Sequence, residues 1–142
     1  AALESLQLTG GYGITHGRFR NYISTEGEDY AGNRLPKAPA HSGVLALEWM
    51  PLAGLMLRPE LQWTGTAPAN ADNNPMHELE AHRLLNFSAR WQGGRCTLFV
   101  SGSNLMDEQY RRDANNFSLF GFDVVSLGDG RRVFGGVEFE LQ

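Results

Sequence analysis

The chain has 142 residues, of which 17 are glycine and 11% are aromatic, and its net charge is −4. This length fits one domain or a piece of one, and the scattered basic residues argue against a nucleic-acid surface. The single cysteine, Cys96, excludes an internal disulfide and a cysteine metal cluster. No apolar run is long enough for a membrane-spanning helix. The chain opens inside an alternating pattern without a signal peptide, which indicates a fragment.

Alternation of apolar and polar residues dominates the chain and predicts β-strands. In chain order, six strands are expected at 5–16, 42–50, 54–65, 82–92, 95–104 and 131–141. Tight glycine-containing turns are predicted at 51–54 and 92–95. Long connections, rich in Asn, Asp, Gly and Pro, lie at 17–41, 66–81 and 105–130. Pro59, in mid-strand, predicts a local bulge.

Each predicted strand divides by parity into two different faces. One face carries Leu, Val, Phe, Trp and small residues, and we expect no charge on it. The opposite face is mostly polar, and its charged members are Glu48, Arg58, Glu60, Arg90, Arg132, Glu138 and Glu140. An apolar face meets either lipid or a second sheet, so a membrane β-barrel and a soluble β-sandwich both fit the alternation.

Three observations favour the barrel. All long connections fall at one end of the sheet and all short ones at the other, as in outer-membrane barrels. Large aromatic rings occupy the two ends of the apolar band, where a membrane interface favours them: Trp49, Trp91 and Phe139 at the short-turn end and Trp63 at the other. About ten residues tilted by roughly 45° rise about 23 Å, close to the roughly 25 Å apolar band of such barrels. The predicted fold is therefore all-β: an antiparallel up-and-down transmembrane β-barrel segment of about six strands, incomplete on its own.

Three motifs resemble the TonB-dependent outer-membrane receptor family. Residues 98–110 read Leu-Phe-Val-Ser-Gly-Ser-Asn-Leu-Met-Asp-Glu-Gln-Tyr, similar to the family's penultimate strand running into Asn-Leu-Phe-Asp-x-x-Tyr, with Met106 replacing Phe. Gly130-Arg131 opens a segment that looks like the family's last strand. Residues 32–41, with Leu35-Pro36 and Pro39, resemble a segment that precedes a descending strand. The chain departs from the family at its end, Phe139-Glu140-Leu141-Gln142, where an aromatic residue is usual.

The resemblance implies that residues 1–142 are the C-terminal part of a barrel of about 22 strands. The earlier strands, the plug domain and the N-terminal region that contacts TonB would then lie outside this chain. The implied location is the outer membrane of a Gram-negative bacterium, in contact with its lipid. The implied function is TonB-energised uptake of a scarce nutrient, with an iron–siderophore complex as the leading candidate.

The candidate functional residues fall into two groups. Arg111, Arg112 and Asp113 are loop candidates for ligand binding, since arginines can grip an anionic iron chelate, although a solvated loop base explains them too. The motif residues are expected to have structural roles: Asn104, Leu105, Asp107, Tyr110 and Arg131. His16, His41, His77 and His82 have no ligand spacing, so we predict no metal site and no cofactor.

No catalytic arrangement emerges, so we expect neither an enzyme nor a nucleic-acid partner. Two alternatives remain open. One is a smaller outer-membrane barrel of the porin or adhesin type, and the other is a soluble β-sandwich binding module. A short upstream sequence without a plug domain would favour the smaller barrel over a receptor. A chain that folds as a monomer in buffer without detergent would favour the β-sandwich.

Overall fold

A computed structural model describes residues 5–117 and 122–140. In chain order these residues form β1 (Ser5–Ile14), β2 (His41–Leu52), β3 (Leu55–Thr64), β4 (Ala67–Pro68), β5 (Glu78–Leu79), β6 (His82–Gly93), β7 (Cys96–Ser103), β8 (Arg111–Phe117), β9 (Phe122–Leu127) and β10 (Arg132–Phe139). A short 3₁₀ turn spans Pro75–His77. None of the helical structure in these ranges is long and apolar enough to cross a membrane.

The main feature is a six-stranded antiparallel sheet with the order β1-β2-β3-β6-β7-β10. This order follows the chain, so the sheet is the up-and-down meander that the sequence predicts. Within the described residues it stays open, with β1 and β10 as its edges. The predicted strand at 131–141 is confirmed as far as Phe139; Leu141 and Gln142 lie outside the described residues.

Two tight turns close the short-turn end of the sheet. Ala53-Gly54 joins β2 to β3, and Gly94-Arg95 joins β6 to β7. Gly54 and Gly94 have φ angles of 81° and 59°, a region that favours glycine. A Cβ on Gly54 would also lie 2.2 Å from the carbonyl oxygen of Gln92 in the neighbouring turn. Both predicted glycine turns are therefore confirmed.

The third long connection contains a hairpin that the sequence pattern does not predict. β8 pairs antiparallel with β9, and the much shorter β4 pairs with β5 inside the second connection. The residues of β8 read Arg-Arg-Asp-Ala-Asn-Asn-Phe, so the strand has no apolar alternation to reveal it. This strand is specified by its contacts with other loops rather than by an apolar face.

The apolar face of the large sheet is uncovered. Leu45 and Leu98 lie on inner strands, yet they expose 44% and 43% of their surface. The buried side chains of the large sheet instead include Ala46 and Thr97 on the opposite face. In a soluble sandwich a second sheet would cover the apolar side, and the described residues place none there. A bare apolar face opposite a polar face is the arrangement of a barrel wall.

One charged residue lies on the apolar face, which corrects the expectation that none does. Arg83 is directly opposite Trp63 in the β3–β6 ladder, and directly opposed residues share a face. Trp63 in turn packs over Gly43, where a Cβ would come within 1.9 Å of the indole. Arg83 is the second residue of β6, so it lies at the end of the sheet that carries the long connections. A charge is tolerated at the rim of an apolar band far better than at its middle.

The bulge predicted at Pro59 is not formed. Pro59 is paired with Phe87 in β6, and the register of β3 against β2 is the same on both sides of it. The register shift in the β2–β3 ladder lies instead between Trp49 and Leu52, next to the tight turn. Because proline has no backbone N–H, Pro59 weakens the pairing of β3 with β2, but it inserts no extra residue into the strand.

Aromatic side chains occupy both ends of the apolar face. Trp91 is paired with Leu98, and Phe139 with Cys96, close to the short turns. At the other end the ring of Trp63 lies 6.5 Å from that of Tyr12. Trp49, across from Leu6, completes the short-turn group. This is the two-girdle distribution that membrane interfaces favour.

Neighbouring residues of β1 provide a matched test of which face meets hydrocarbon. Leu8→Arg places a charge near the middle of the apolar face, whereas Gln7→Arg places it on the polar face, directly opposite Glu48. In the full-length protein we expect Leu8→Arg to lose roughly 2–4 kcal/mol of folding free energy and to reduce the assembled protein in the outer-membrane fraction. Gln7→Arg should assemble like the wild type. Equal assembly of both variants would show that the apolar face does not meet lipid.

Candidate functional site

Three long connections gather at one end of the sheet, and we refer to them as loop A (15–40), loop B (65–81) and loop C (104–131). Loop A joins β1 to β2, loop B joins β3 to β6, and loop C joins β7 to β10. In a barrel this end faces the outside of the cell. Ligands of a receptor barrel arrive at that end, so the loops are the candidate functional site.

Loops A and B are joined through the backbone of Arg34. The side chain of Asn73 accepts from the Arg34 N–H at 2.7 Å and donates to the Arg34 carbonyl at 2.9 Å. The adjacent Asn33 donates its amide to the Ala71 carbonyl at 2.8 Å. An amide that both donates and accepts in this way substitutes for a strand partner, so the two loops are fixed without a regular ladder.

Loop C is joined to both of the others. Lys37 Nζ donates to Asp113 Oδ2 at 2.8 Å, and Asn70 of loop B donates to the Ala114 carbonyl at 3.0 Å. His77 is 3% exposed, and its Nε2 lies 3.3 Å from Asp123 Oδ1 without the alignment of a hydrogen bond. The three loops therefore form one interlocked layer across the end of the sheet.

The motif residues form the neck of loop C, where the chain leaves and re-enters the sheet. Asn104 is 3% exposed, with φ of 49°. Its side-chain amide donates to the carbonyls of Glu108 at 2.9 Å and Asp129 at 3.0 Å, and its oxygen accepts from the Glu108 N–H. Asp107, also with a positive φ of 55°, accepts from the Arg131 N–H at 2.9 Å. These bonds tie the two ends of loop C together.

Two further motif side chains pack within the neck. Leu105 packs against Gly102, at which a Cβ would meet the leucine at 2.5 Å. The ring of Tyr110 stacks on His82 with centroids 4.1 Å apart and covers Gly128, where a Cβ would come within 2.0 Å. Each of the five motif residues thus has a contact in or beside the neck.

The loop candidates Arg111, Arg112 and Asp113 are consecutive residues of β8. The Asp113 carboxylate is paired with Lys37, whose hydrogen bond holds the pKa of Asp113 below its usual value. The β8–β9 register shifts between Arg111 and Asp113, and Arg112 is exposed there. Asp113 is thus engaged in joining loops A and C.

Loop A forms a cleft that the sequence analysis does not single out. The cleft has a volume of about 460 Å³ and is lined by Thr15, His16, Gly17, Arg18, Arg34, Ala38 and Ala40. It contains two guanidinium groups and no carboxylate. Arg18 donates to the Gly32 carbonyl at 2.6 Å, and Arg34 donates to the Thr66 carbonyl at 3.0 Å. Both arginines are held by backbone oxygens, and Arg34 also pairs with the Glu78 carboxylate at 3.9 Å. Arg18 has no ion pair among the described residues, so its guanidinium makes the cleft suited to an anion.

Loop A also contains three neighbouring aromatic rings, of which two stack and the third is tilted. Phe19 and Tyr22 have centroids 4.8 Å apart, and Tyr30 lies 5.8 Å from Tyr22. The Tyr30 hydroxyl donates to the Glu28 carboxylate, and this hydrogen bond raises the pKa of Tyr30 to about 12. Sequence reasoning missed this group because its members have no regular spacing. No group of three potential metal-ligating side chains occurs in the described ranges.

No protein-family model matches the chain. Its fold is similar to parts of three solved receptors. The siderophore receptor PiuA from Acinetobacter baumannii matches 94% of this chain with 19% of its own length, at 17% identity and a TM-score of 0.76. The ferric yersiniabactin uptake receptor FyuA from Yersinia pestis matches 96% with 20% of its length, at 21% identity and a TM-score of 0.68. The ferric-catecholate import receptor Fiu from E. coli K12 matches 93% with 18% of its length, at 17% identity and a TM-score of 0.64.

The chain thus spans about a fifth of the length of these structures. The resemblance drawn from the sequence motifs is supported by this shared fold, which includes the six-stranded meander and its connections. The solved neighbours are transport receptors rather than enzymes.

Asn104 provides a test of the loop C neck. Asn104→Ala removes three hydrogen bonds and places alanine at a positive φ, so we expect a loss of roughly 2–4 kcal/mol in the full-length protein. Limited proteolysis should cut within residues 105–130 faster than in the wild type. Asn104→Gly keeps the backbone angle and should recover part of the thermal stability without restoring resistance to the protease. Unchanged proteolysis of both variants would contradict the role of the amide.

The Lys37–Asp113 pair predicts a dependence on pH with a definite sign. The pKa of Asp113 is lowered in the folded protein by its hydrogen bond from Lys37. The pair therefore stabilises the fold above the unfolded value of about 3.9 and loses this effect as pH falls through the lower folded pKa. Asp113→Asn should lower the thermal midpoint at pH 7 by an amount equivalent to about 0.2–1 kcal/mol, because the pair is partly solvated. The difference from wild type should vanish on acidification, and a difference that grows would refute the assignment.

Proposed function

We propose that this chain is the C-terminal part of a TonB-dependent outer-membrane receptor that imports ferric siderophores. The observation that carries the proposal is the bare apolar face of a meander sheet whose long loops all interlock at one end. This arrangement is stable where hydrocarbon covers the apolar side and water fills the other. The shared fold with three siderophore receptors supports the same reading.

The remainder of the receptor lies outside this chain in our proposal. A plugged transporter barrel has about 22 strands, so about sixteen further strands and a plug domain belong upstream. TonB contacts the N-terminal region of that plug and supplies energy for import. The polar face of the sheet then borders the lumen, where the ion pair of Arg58 with Glu60, at 2.7 Å, and that of Arg90 with Glu138, at 3.8 Å, offset much of the charge.

Within the loop layer we propose that the arginine cleft of loop A contacts the ligand. Ferric chelates with catecholate, carboxylate or hydroxylate groups often carry negative charge, and guanidinium groups bind such oxygens through charge-assisted hydrogen bonds. The rings of Phe19, Tyr22 and Tyr30 in the same loop present faces on which an aromatic chelator can pack. Arg111 and Arg112 of β8 are the alternative ligand contact. They directly precede Asp113, which pairs with Lys37 of loop A.

Uptake by a deletion strain carrying the full-length gene tests both levels of the proposal. Labelled ferric siderophores, haem and cobalamin are supplied, and we expect energy-dependent import of an iron chelate. Arg18→Ala should raise the half-saturating concentration about tenfold, as expected for one lost charge-assisted contact. Arg112→Ala, an exposed arginine of the same loop layer, should change it by less than about twofold.

Surface labelling of intact cells controls for the amount of each variant at the cell surface. A reversed order, with Arg112 critical and Arg18 dispensable, would transfer the contact to β8. Import of none of the iron chelates, with the protein present at the surface, would overturn the siderophore function.

A further inference from the structure

Arg83 is a charged residue on the apolar face of the sheet, the face that we propose meets lipid. It is exposed and is directly opposite Trp63 on the apolar face. Within the described parts of the chain it forms no ion pair and no side-chain hydrogen bond. An arginine at such a position has its stem among apolar side chains and its guanidinium at the level of lipid headgroups. Its guanidinium is therefore available to an anion from outside the chain.

A groove beside Arg83 has the composition of an amphiphile site. Its volume is about 680 Å³, and its walls include His41, Leu61, Trp63, Arg83, Met106 and Glu108. Leu61, Trp63 and Met106 supply an apolar wall on the side of the sheet. Arg83 and His41 supply polar groups near the loops. Leu61 and Trp63 share the apolar face with Arg83, so an acyl chain lying on that face would be next to the groove.

His41 is positioned by its neighbour on β1. The Tyr12 hydroxyl and His41 Nδ1 are 2.8 Å apart, and the two rings stack with centroids 6.0 Å apart. When Tyr12 donates to Nδ1, the ring proton of His41 is on Nε2, which becomes a hydrogen-bond donor. The groove then offers two donors, a guanidinium and an imidazole N–H, next to an indole. Tryptophan favours the same headgroup level.

We propose that this groove binds the phosphate of a phosphorylated glycolipid in the outer leaflet. Arg83 forms a bidentate contact with the phosphate, His41 donates a second contact, and an acyl chain lies along Leu61 and Trp63. The inference rests on the proposed membrane orientation, because the loop end of the apolar face then lies in the outer leaflet. Glu108 also lines the groove, and its carboxylate opposes an anion there. Removal of the Arg83 charge should therefore weaken phosphate binding, and removal of the Glu108 charge should strengthen it.

The test uses full-length protein, purified and delipidated in a non-ionic detergent, and lipid A carrying two phosphates as the probe. Binding is followed by native mass spectrometry and by the shift in thermal midpoint. We expect Arg83→Ala to raise the apparent Kd about tenfold and Glu108→Gln to lower it about twofold. Arg95→Ala is the matched control, since this exposed arginine lies in the tight turn at the opposite end of the sheet. It should leave binding unchanged.

Two further probes identify the source of the phosphate. Dephosphorylated lipid A should bind at least tenfold more weakly, and inorganic phosphate at millimolar concentration should give no shift. Binding of inorganic phosphate as tight as that of lipid A would make the site an anion site rather than a lipid site. Equal affinity of wild type and Arg83→Ala would show that the arginine extends to water without a phosphate partner.

The outcome is separable from that of the proposed function. If Arg83→Ala loses lipid binding while import of the iron chelate continues, the lipid site stands independently of the ligand site. If the wild type binds lipid A but imports no iron chelate, the receptor function fails and the lipid site survives. If the Leu8→Arg and Gln7→Arg variants assemble equally, the membrane orientation fails and the lipid site fails with it.

Discussion

Pairing of the main chain is the constraint on which this structure depends, and it is strictest in the membrane setting that we propose for it. No water is available inside a bilayer, so every N–H and C=O needs a partner within the protein, and an antiparallel ladder supplies them. In a β-strand successive side chains point to opposite faces. One face of the sheet can therefore be apolar while the other is polar. Leu8, Leu47 and Phe87 can then meet lipid while Gln7, Glu48 and Ser88, their chain neighbours, face water. Tight turns at one end and long loops at the other leave this wall intact.

The same requirement operates in the loops, but there asparagine takes the place of the ladder. Asn73 joins loops A and B through both polar groups of one residue, and Asn104 joins the two ends of loop C. Both adopt positive φ angles, which asparagine tolerates better than most residues. The abundance of Asn in these segments is thus explained by junctions between loops, and a change at one junction affects all three loops because the layer is continuous.

Periodicity was sufficient to predict the six strands, both tight turns and the separation of the faces, because these follow from local alternation. It could not reveal β8, which lacks alternation, or the pairing of Lys37 with Asp113, which are 76 positions apart in the chain. The motif residues are identifiable from the family resemblance, but their contacts with Glu108, Asp129 and Gly128 depend on the path of loop C. Arg83 has the parity of the apolar face, but the uncharged run of that face begins at Leu85, so alternation alone does not assign the arginine to it. The arginine cleft depends on the path of loop A, which no local rule determines.

The two open edges restrict what completes the wall. β1 runs from the short-turn end towards the loops and β10 runs back from the loops, and each has one neighbour among the described strands. Unpaired edges are not tolerated in hydrocarbon, so in the receptor that we propose further strands join β10 to β1. If all pairings are antiparallel, the strand beside β10 runs towards the loops and the strand beside β1 runs away from them. The number of joining strands must then be even, which agrees with about sixteen strands for a transporter of about 22 and excludes any odd complement.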